Sequence, residues 1–222
     1  MGSLTGVAVH ANAEKPTVGD EEAEGDPAVF LDRDGVINRR SITLVRDESQ
    51  LEILPGVPEA VARLTEAGYR IVIVTNQRPV AWGIIDGEDL DRIHEDIQAA
   101  IEEVGGRVDA FRSCRDGFFD ECACGKPEPG MLVSAAEELG LASEGSWMVG
   151  DKPSDVEAGR RFGADTIKIT GSKFPWERWK TAPEADHHAQ DLPAAVDRIL
   201  AEQPPTPRTE TSSQTVSPRR GS

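Results

Sequence analysis

One stretch of the 222-residue sequence constrains the fold more than any other: Arg70-Ile-Val-Ile-Val-Thr-Asn76. Four consecutive β-branched residues, Ile71 to Val74, leave no polar position for a wet face. An antiparallel strand with one solvated face alternates apolar and polar; one apolar on both sides belongs inside a parallel sheet covered by helices. Shorter runs fit the same sheet: Ala28-Val-Phe-Leu-Asp32, Asp109 to Cys114, Trp147-Met-Val-Gly-Asp151 and Thr166-Ile-Lys-Ile169. Helical faces alternate with them. Val57, Ala60, Val61, Leu64 and Ala67 share one face before Gly68. Leu90, Ile93, Ile97, Ile101 and Val104 form a stripe stopped by Gly105-Gly106. Further helices are predicted over Met131–Leu139, Ser154–Phe162 and Ala194–Ala201. Strands alternating with helices of this length specify a doubly wound, Rossmann-like parallel α/β sheet.

The ends of the chain do not share this pattern. Residues 1–27 carry six acids against Lys15 and almost no large apolar side chain, and residues 203–222 are rich in Pro, Ser and Thr. Such segments bury too little surface to offset chain entropy, so an acidic disordered leader and a disordered tail are expected around one domain over 28–202. The chain as a whole has 24 bases and 40 acids, a formal charge of −16. That balance argues against sequence-independent nucleic-acid binding and against anionic membrane surfaces. Small phosphate substrates need only a few local cations and remain open. No apolar run approaches the length of a membrane helix and no signal-like leader opens the chain, so a soluble, cytoplasmic protein is expected. Three cysteines, two of them in a Cys-x-Cys pair, do not make a secreted disulfide framework.

In open parallel sheets ligands bind beyond the carboxyl ends of the strands, so the residues that follow each apolar run are the first place to look for chemistry. The first run ends in Asp32-Arg33-Asp34-Gly35, the second in Thr75-Asn76-Gln77, and the fourth in Gly150-Asp151-Lys152, while Lys126-Pro127 precedes the third helix. Two aspartates around a turn can divide labour, one attacking phosphorus and the other protonating the leaving oxygen and then activating water. Crowded carboxylates repel, which a hard divalent cation such as Mg²⁺ relieves, and Asp151 can supply a second carboxylate from a neighbouring strand. Thr75 and Lys126 would meet the remaining phosphoryl oxygens.

Taken singly, each feature has a plainer reading. Asp-x-Asp-Gly is an ordinary turn sequence, Thr75 is also a strand-end or cap residue, and Asp151-Lys152 is also a surface turn. The sixth position from Asp32 is Ile37, which excludes an EF-hand loop, and Gly125-Lys126 leads into Pro127, which excludes a Walker loop. The weight lies in the ordered set at successive strand ends.

That set resembles the haloacid dehalogenase superfamily. Phe30-Leu-Asp-Arg-Asp-Gly-Val-Ile-Asn38 is similar to its first motif and Val74-Thr-Asn-Gln77 to its second. Lys126-Pro127 is similar to the third and Met148-Val-Gly-Asp-Lys-Pro-Ser-Asp155 to the fourth. The resemblance implies a phosphoric monoester hydrolase with Asp32 as nucleophile and Asp34 as general acid/base. It implies Mg²⁺ on Asp32, Asp151 and the Asp34 carbonyl, with Thr75 and Lys126 as phosphate binders. Asp155 and Lys152 would support the site, and Asn76 and Gln77 would shape the crevice. Motifs one and two are separated by a short helical connection, so little or no cap domain is expected.

Cys114-x-Asp116, a spacer and Cys122-x-Cys124 stand immediately before Lys126-Pro127-Glu-Pro-Gly-Met131. This arrangement resembles the zinc loop of the branch containing D-glycero-D-manno-heptose 1,7-bisphosphate phosphatases and histidinol phosphatases. The resemblance implies a structural Zn²⁺ on Cys114, Asp116, Cys122 and Cys124, the alternative being an empty loop of reduced thiols. Asp116 takes the position of the branch's histidine, and Gly125 that of an arginine before the lysine. After motif two this chain reads Arg78-Pro-Val-Ala-Trp82, with Trp82 in place of an arginine. Arg78 either restores a substrate-binding cation or is a solvated loop residue. The substrate implied is a small phosphorylated metabolite: a sugar phosphate of the heptose bisphosphate type first, histidinol phosphate second. A non-catalytic phosphate-binding or scaffolding member, or a phosphotransferase, are the other classes. His94 reads as packing or surface, His187 and His188 carry no clear chemistry, and Trp176 and Trp179 read as a sheet-edge cover or contact surface.

Overall fold

The computed structural model describes residues 25–41, 44–117, 122–171 and 184–202. The expected leader up to residue 24, the tail from 203, and Phe174–Trp179 lie outside the described residues. Six strands form one parallel sheet in the order β3-β2-β1-β4-β5-β6. They are β1 (Ala28–Leu31), β2 (Arg70–Asn76), β3 (Ala110–Cys114), β4 (Trp147–Gly150), β5 (Asp165–Ile169) and β6 (His187–Ala189). The helices are α1 (Val57–Glu66), α2 (Arg78–Ala81), α3 (Gly87–Glu102), α4 (Gly130–Leu139), α5 (Pro153–Phe162) and α6 (Leu192–Glu202).

Alternate side chains of each central strand feed two separate cores. Val29, Leu31, Ile71, Ile73 and Val149 pack with Val61 and Leu64 of α1, Ile93 and Ile97 of α3, and Val196 and Ile199 of α6. Phe30, Val72, Val74 and Met148 face the other way, onto Met131 and Leu132 of α4 and Ala158 of α5. Each such aliphatic side chain contributes about 1.5–3 kcal/mol on burial, which is why β2 needs apolar residues on both faces. Among the described residues no cap sheet or helical bundle is inserted between β1 and β2; a single 3₁₀ turn, Glu48–Gln50, precedes α1.

The strand order fixes where a ligand can sit. From β1 the chain moves outward through α1 to β2, whereas the connection through α4 returns to the opposite side of β1 as β4. Helices therefore leave β1 and β4 in opposite directions and open a crevice beyond their carboxyl ends. Leu31 is in register with Ile73 on one side and Val149 on the other, so Asp32 emerges beside Val74 and Gly150.

Several boundaries differ from the sequence expectation. Asp26, the last acid of the expected leader, belongs to the folded unit: its N–H donates to the Gly140 carbonyl at 3.0 Å and its carboxylate accepts from Arg70 at 3.1 Å. Val104, placed on the buried stripe of α3, is 42% exposed because the helix ends at Glu102 and the stripe ends with it. β6 has no apolar signature because its His187-His188-Ala189 sequence forms a half-exposed edge. The four-residue α2 is too short to show a period.

Candidate active site

Asp32 is the first residue past β1 and is 1% exposed. Its Oδ1 is 2.8 Å from Lys126 Nζ and its Oδ2 is 3.1 Å from Lys152 Nζ. Burial alone would raise its pKa, but the two ammonium groups outweigh it and hold the carboxyl well below the usual range. Lys126 is also enclosed, donating to the Val74 carbonyl at 2.7 Å and lying 2.8 Å from Asp155 Oδ1. Burial works against its charge, and Asp155 and Asp32 raise its pKa regardless.

The turn after Asp32 is closed by the Arg33 carbonyl, which accepts from the N–H groups of Ile37 and Asn38, and by Gly35, whose φ of 102° favours a residue without Cβ. It presents Asp34 inward. Arg33 Nη2 donates to both Asp34 oxygens at 2.9 Å, Asn38 Nδ2 donates to Oδ1 at 3.1 Å, and Gln77 Nε2 donates to Oδ2 at 2.9 Å. Burial again raises the pKa, and Arg33 more than reverses it, so Asp34 is ionised as it stands.

Asp151 follows β4. Arg40 reaches across from the loop after β1 to place Nη2 2.6 Å from Asp151 Oδ1, while Asp151 Oδ2 is buried with no hydrogen-bond partner among the described residues. Burial, and then the charge of Asp32, push its pKa up to about 7 against Lys152 and Arg40. Carboxylate oxygens of Asp32, Asp151 and Asp155 lie within 4.8 Å of one another. Three buried hard-oxygen donors with one oxygen unsatisfied fit an oxygen-seeking divalent cation such as Mg²⁺. Asp155 is itself engaged, accepting from the Lys152 N–H at 2.8 Å as it caps α5. It approaches β4 so closely that a Cβ on Gly150 would stand 2.2 Å from the Asp155 Cβ.

On the other flank, Thr75 Oγ1 accepts from Gln77 Nε2 at 2.8 Å, leaving its own O–H to donate into the crevice. Asn76 points to the loop carrying Lys126: its Nδ2 donates to the Lys126 carbonyl at 2.8 Å and its Oδ1 accepts the Lys126 N–H at 3.0 Å. Asn76 thus positions Lys126. Arg78 opens α2, one residue beyond Gln77.

The same loop is gripped by the cysteines. The sulphur of Cys124 is 3.1 Å from those of Cys114 and Cys122, which are 3.4 Å apart, and 3.3 Å from Asp116 Oδ2. None of the three forms a disulfide. A tetrahedral zinc with Zn–S bonds of about 2.3 Å sets sulphur atoms about 3.8 Å apart, so a small outward movement of the thiols would admit the ion. Burial raises the thiol pKa of Cys114 and Cys124, and a hydrogen bond with Cys124 lowers that of Cys122. Gly125 lies against the cluster, since a Cβ there would sit 3.0 Å from Cys114 Sγ.

Asp32, Asp34, Thr75, Asn76, Lys126, Asp151, Lys152 and Asp155 are therefore brought together, and Cys114, Asp116, Cys122 and Cys124 form a second cluster. Sequence reasoning found Lys126 and Lys152 but missed the two other bases that hold the acids, Arg33 and Arg40. Arg33 was visible only as a residue flanked by two candidate aspartates, and Arg40 carries no local signal. His94 is buried and stacks on Phe111 with ring centroids 4.6 Å apart, a packing role. His187 and His188 sit in β6.

Comparison with known proteins agrees with this geometry. The family model for haloacid dehalogenase-like hydrolases matches residues 4–163. The D-glycero-beta-D-manno-heptose-1,7-bisphosphate 7-phosphatase of Bordetella bronchiseptica is 36% identical over 175 residues, covering 78% of this chain and 98% of that protein. The enzyme of the same name from Pseudomonas putida is 36% identical over 172 residues, covering 78% and 98%. The crystal structure of the D,D-heptose 1,7-bisphosphate phosphatase from B. bronchiseptica, complexed with magnesium and phosphate, superposes with a TM-score of 0.74 at 34% identity, covering 80% of this chain and 99% of that one. No described helix is long and apolar enough to cross a membrane.

Proposed function

The chain belongs to the haloacid dehalogenase-like hydrolase family, and on that premise we propose that it hydrolyses a phosphorylated sugar through a covalent phosphate on Asp32. It is a phosphoric monoester hydrolase. The observation that carries the mechanism is the buried, ionised Asp32 at the switch point of the sheet, gripped by Lys126 and Lys152 beside Asp151. A carboxylate held far below its ordinary pKa is ready to attack without prior loss of a proton.

In the first step an Asp32 oxygen forms a bond to phosphorus, the bond from phosphorus to the sugar oxygen breaks, and Asp34 delivers a proton to that oxygen. Asp34 is ionised in the free site, so its proton is taken up as the phosphate dianion approaches and raises its affinity for protons. In the second step water attacks phosphorus, gives a proton to Asp34, and the bond to Asp32 breaks. Lys126 and the Thr75 hydroxyl hold phosphoryl oxygens during both transfers. Asp32, Asp151 and the Asp34 carbonyl would hold Mg²⁺, whose contribution is to withdraw charge from the transferring oxygens. Asp155 and Asn76 act through Lys126, and Arg78, which opens α2 one residue beyond Gln77, would be a substrate-binding cation.

The substrate supported best is a heptose 1,7-bisphosphate, by the names of the full-length relatives. A structural Zn²⁺ on Cys114, Asp116, Cys122 and Cys124 would fix the loop that presents Lys126. The domain reading follows: one catalytic unit flanked by an acidic leader and a polar tail. Phosphate release from heptose 1,7-bisphosphate and from histidinol phosphate, with Mg²⁺ and with EDTA, tests the assignment. Turnover of the heptose with Mg²⁺ is expected, falling at least about 10⁴-fold in Asp32→Asn, of the order lost when a catalytic nucleophile is removed. Full activity in that variant would refute the mechanism, and preference for histidinol phosphate would refute the substrate.

A further inference from the structure

The two oxygens of Asp32 are held by bases of very different freedom. Oδ1 is committed to the Lys126 ammonium, which is enclosed and also grips Asp155 Oδ1 at 2.8 Å and the Val74 carbonyl at 2.7 Å. Oδ2 is the oxygen left for a metal, and Lys152 Nζ lies 3.1 Å from it. The same nitrogen is 3.9 Å from Asp151 Oδ1. The Lys152 ammonium therefore stands between the two carboxylates that a divalent cation would bridge.

The ammonium and the cation cannot both keep that place. A Mg²⁺ ion bonds oxygen at about 2.0–2.1 Å, so an ion on Asp32 Oδ2 and an ammonium 3.1 Å from the same oxygen stand no more than about 5 Å apart. Two positive charges that close, in a site with little water, repel strongly. Lys152 is the base able to leave. Its side chain is 35% exposed, against 12% for Arg40 and almost nothing for Lys126 and Arg33. Its backbone stays where it is, because its N–H donates to Asp155 Oδ2 at 2.8 Å at the start of α5. Departure is thus a rotation of the four-carbon stem toward solvent. Arg40 need not move: it holds Asp151 Oδ1, while Asp151 Oδ2 has no hydrogen-bond partner among the described residues.

We propose that Lys152 is a built-in competitor for the metal: its ammonium stands in for the cation on Asp32 Oδ2, and a divalent ion binds there as the side chain swings out of the crevice. This rests on Asp32 and Asp151 being metal ligands. Before the metal arrives, the stand-in keeps both oxygens of the buried nucleophile paired. Its cost is affinity. An ammonium that covers Oδ2 nine-tenths of the time weakens apparent metal binding about tenfold, because only the open fraction can bind.

The test is titration of the full chain with Mn²⁺, read as loss of the free-ion electron paramagnetic resonance signal, with Asp151→Asn identifying the site. Lys152→Met keeps the length of the stem without the charge and is expected to bind about tenfold more tightly than the native protein. Lys152→Arg separates occupancy from charge. It keeps the charge but grips carboxylates with a planar fork, so it is expected to bind at least about threefold more weakly. Arg161→Gln removes a charge from exposed pairs with Glu128 and Glu157, about 13 Å along α5, and is expected to change affinity less than about twofold. Equal or weaker binding in Lys152→Met, or native or tighter binding in Lys152→Arg, would overturn the proposal. If Lys152→Met does not fold without metal, Lys152→Arg decides alone. If neither the native protein nor a Lys152 variant shows Mn²⁺ binding sensitive to Asp151→Asn, the metal reading itself fails, and the proposal with it.

Discussion

Lys126→Met removes the buried ammonium that lies 2.8 Å from each of two buried acids, and its cost can be worked in two ways. The Nζ lies 2.8 Å from Asp32 Oδ1, 2.8 Å from Asp155 Oδ1 and 2.7 Å from the Val74 carbonyl, with almost no solvent access. Removing one partner of a buried ion pair costs about 3–5 kcal/mol, because the abandoned charge stays in a medium that cannot solvate it. The variant has one escape, which is to protonate a carboxylate. Carrying a proton at pH 7 on a group of ordinary pKa near 3.9 costs about 1.36 kcal/mol per pH unit, or about 4 kcal/mol. The two routes agree. The escape also fixes the pH dependence. In the native protein Asp32 has a depressed pKa, so its contribution to stability is fully present above the ordinary carboxylate range and is lost as pH falls through the native value. That contribution is the same at pH 7 and pH 5, and Lys152 still supplies part of it in the variant. The pH dependence comes from the proton the variant must carry, which costs about 4 kcal/mol at pH 7 and about 1.5 kcal/mol at pH 5, so its deficit shrinks by about 2.5 kcal/mol on acidification. Guanidinium unfolding of both proteins in EDTA at pH 7 and pH 5 measures it. A deficit below about 1 kcal/mol at pH 7, or one unchanged between the two pH values, would refute the compensation argument.

Three further perturbations follow from the same contacts. Burial, then the Arg33 charge, push the His94 pKa down to about 4, so between there and the ordinary value near 6.5 the unfolded chain binds a proton that the native chain does not. The His94 contribution to native stability should fall by about 2 kcal/mol from pH 7.5 to pH 5, and His94→Leu should lose that part of the slope in urea titrations. Gly150→Ala forces a Cβ to within 2.2 Å of the Asp155 Cβ and must dislodge either Asp155 or β4. A loss of at least about 1–3 kcal/mol is expected, read as a lower Tm, together with reduced turnover through the disturbed Lys126. Cys122→Ser should remove zinc from the purified protein, measured by mass spectrometry of the metal content, and lower the Tm. Unchanged metal content would refute the proposed ligand set.

What could be read in the sequence depended on how far apart the cooperating residues lie. β2 was plain because its four apolar residues are each needed by one core or the other. Asp32, Thr75 and Asp151 were plain because each directly follows an apolar run, and parallel strands align their ends without further information. β6 was hidden because a half-exposed edge needs no apolar signature, and Val104 misled because a stripe does not say where its helix stops. The counter-ions were the least legible. Asp151 and Arg40 are 111 positions apart, and an arginine two residues after Asn38 looks like any solvated loop residue until the sheet has closed.

This difference bears on how so acidic a chain can take an anionic substrate. Surface charges are screened over about 8 Å at physiological ionic strength, so a formal charge of −16 spread over the molecule says little about the potential inside a crevice. Buried pairs are screened far less, and in this crevice each carboxylate has a cation within 3.1 Å. The local field is set by four bases that the overall composition conceals. A phosphate monoester approaching Asp32 therefore meets the Lys126 and Lys152 ammonium groups and the Thr75 hydroxyl, rather than an acidic surface.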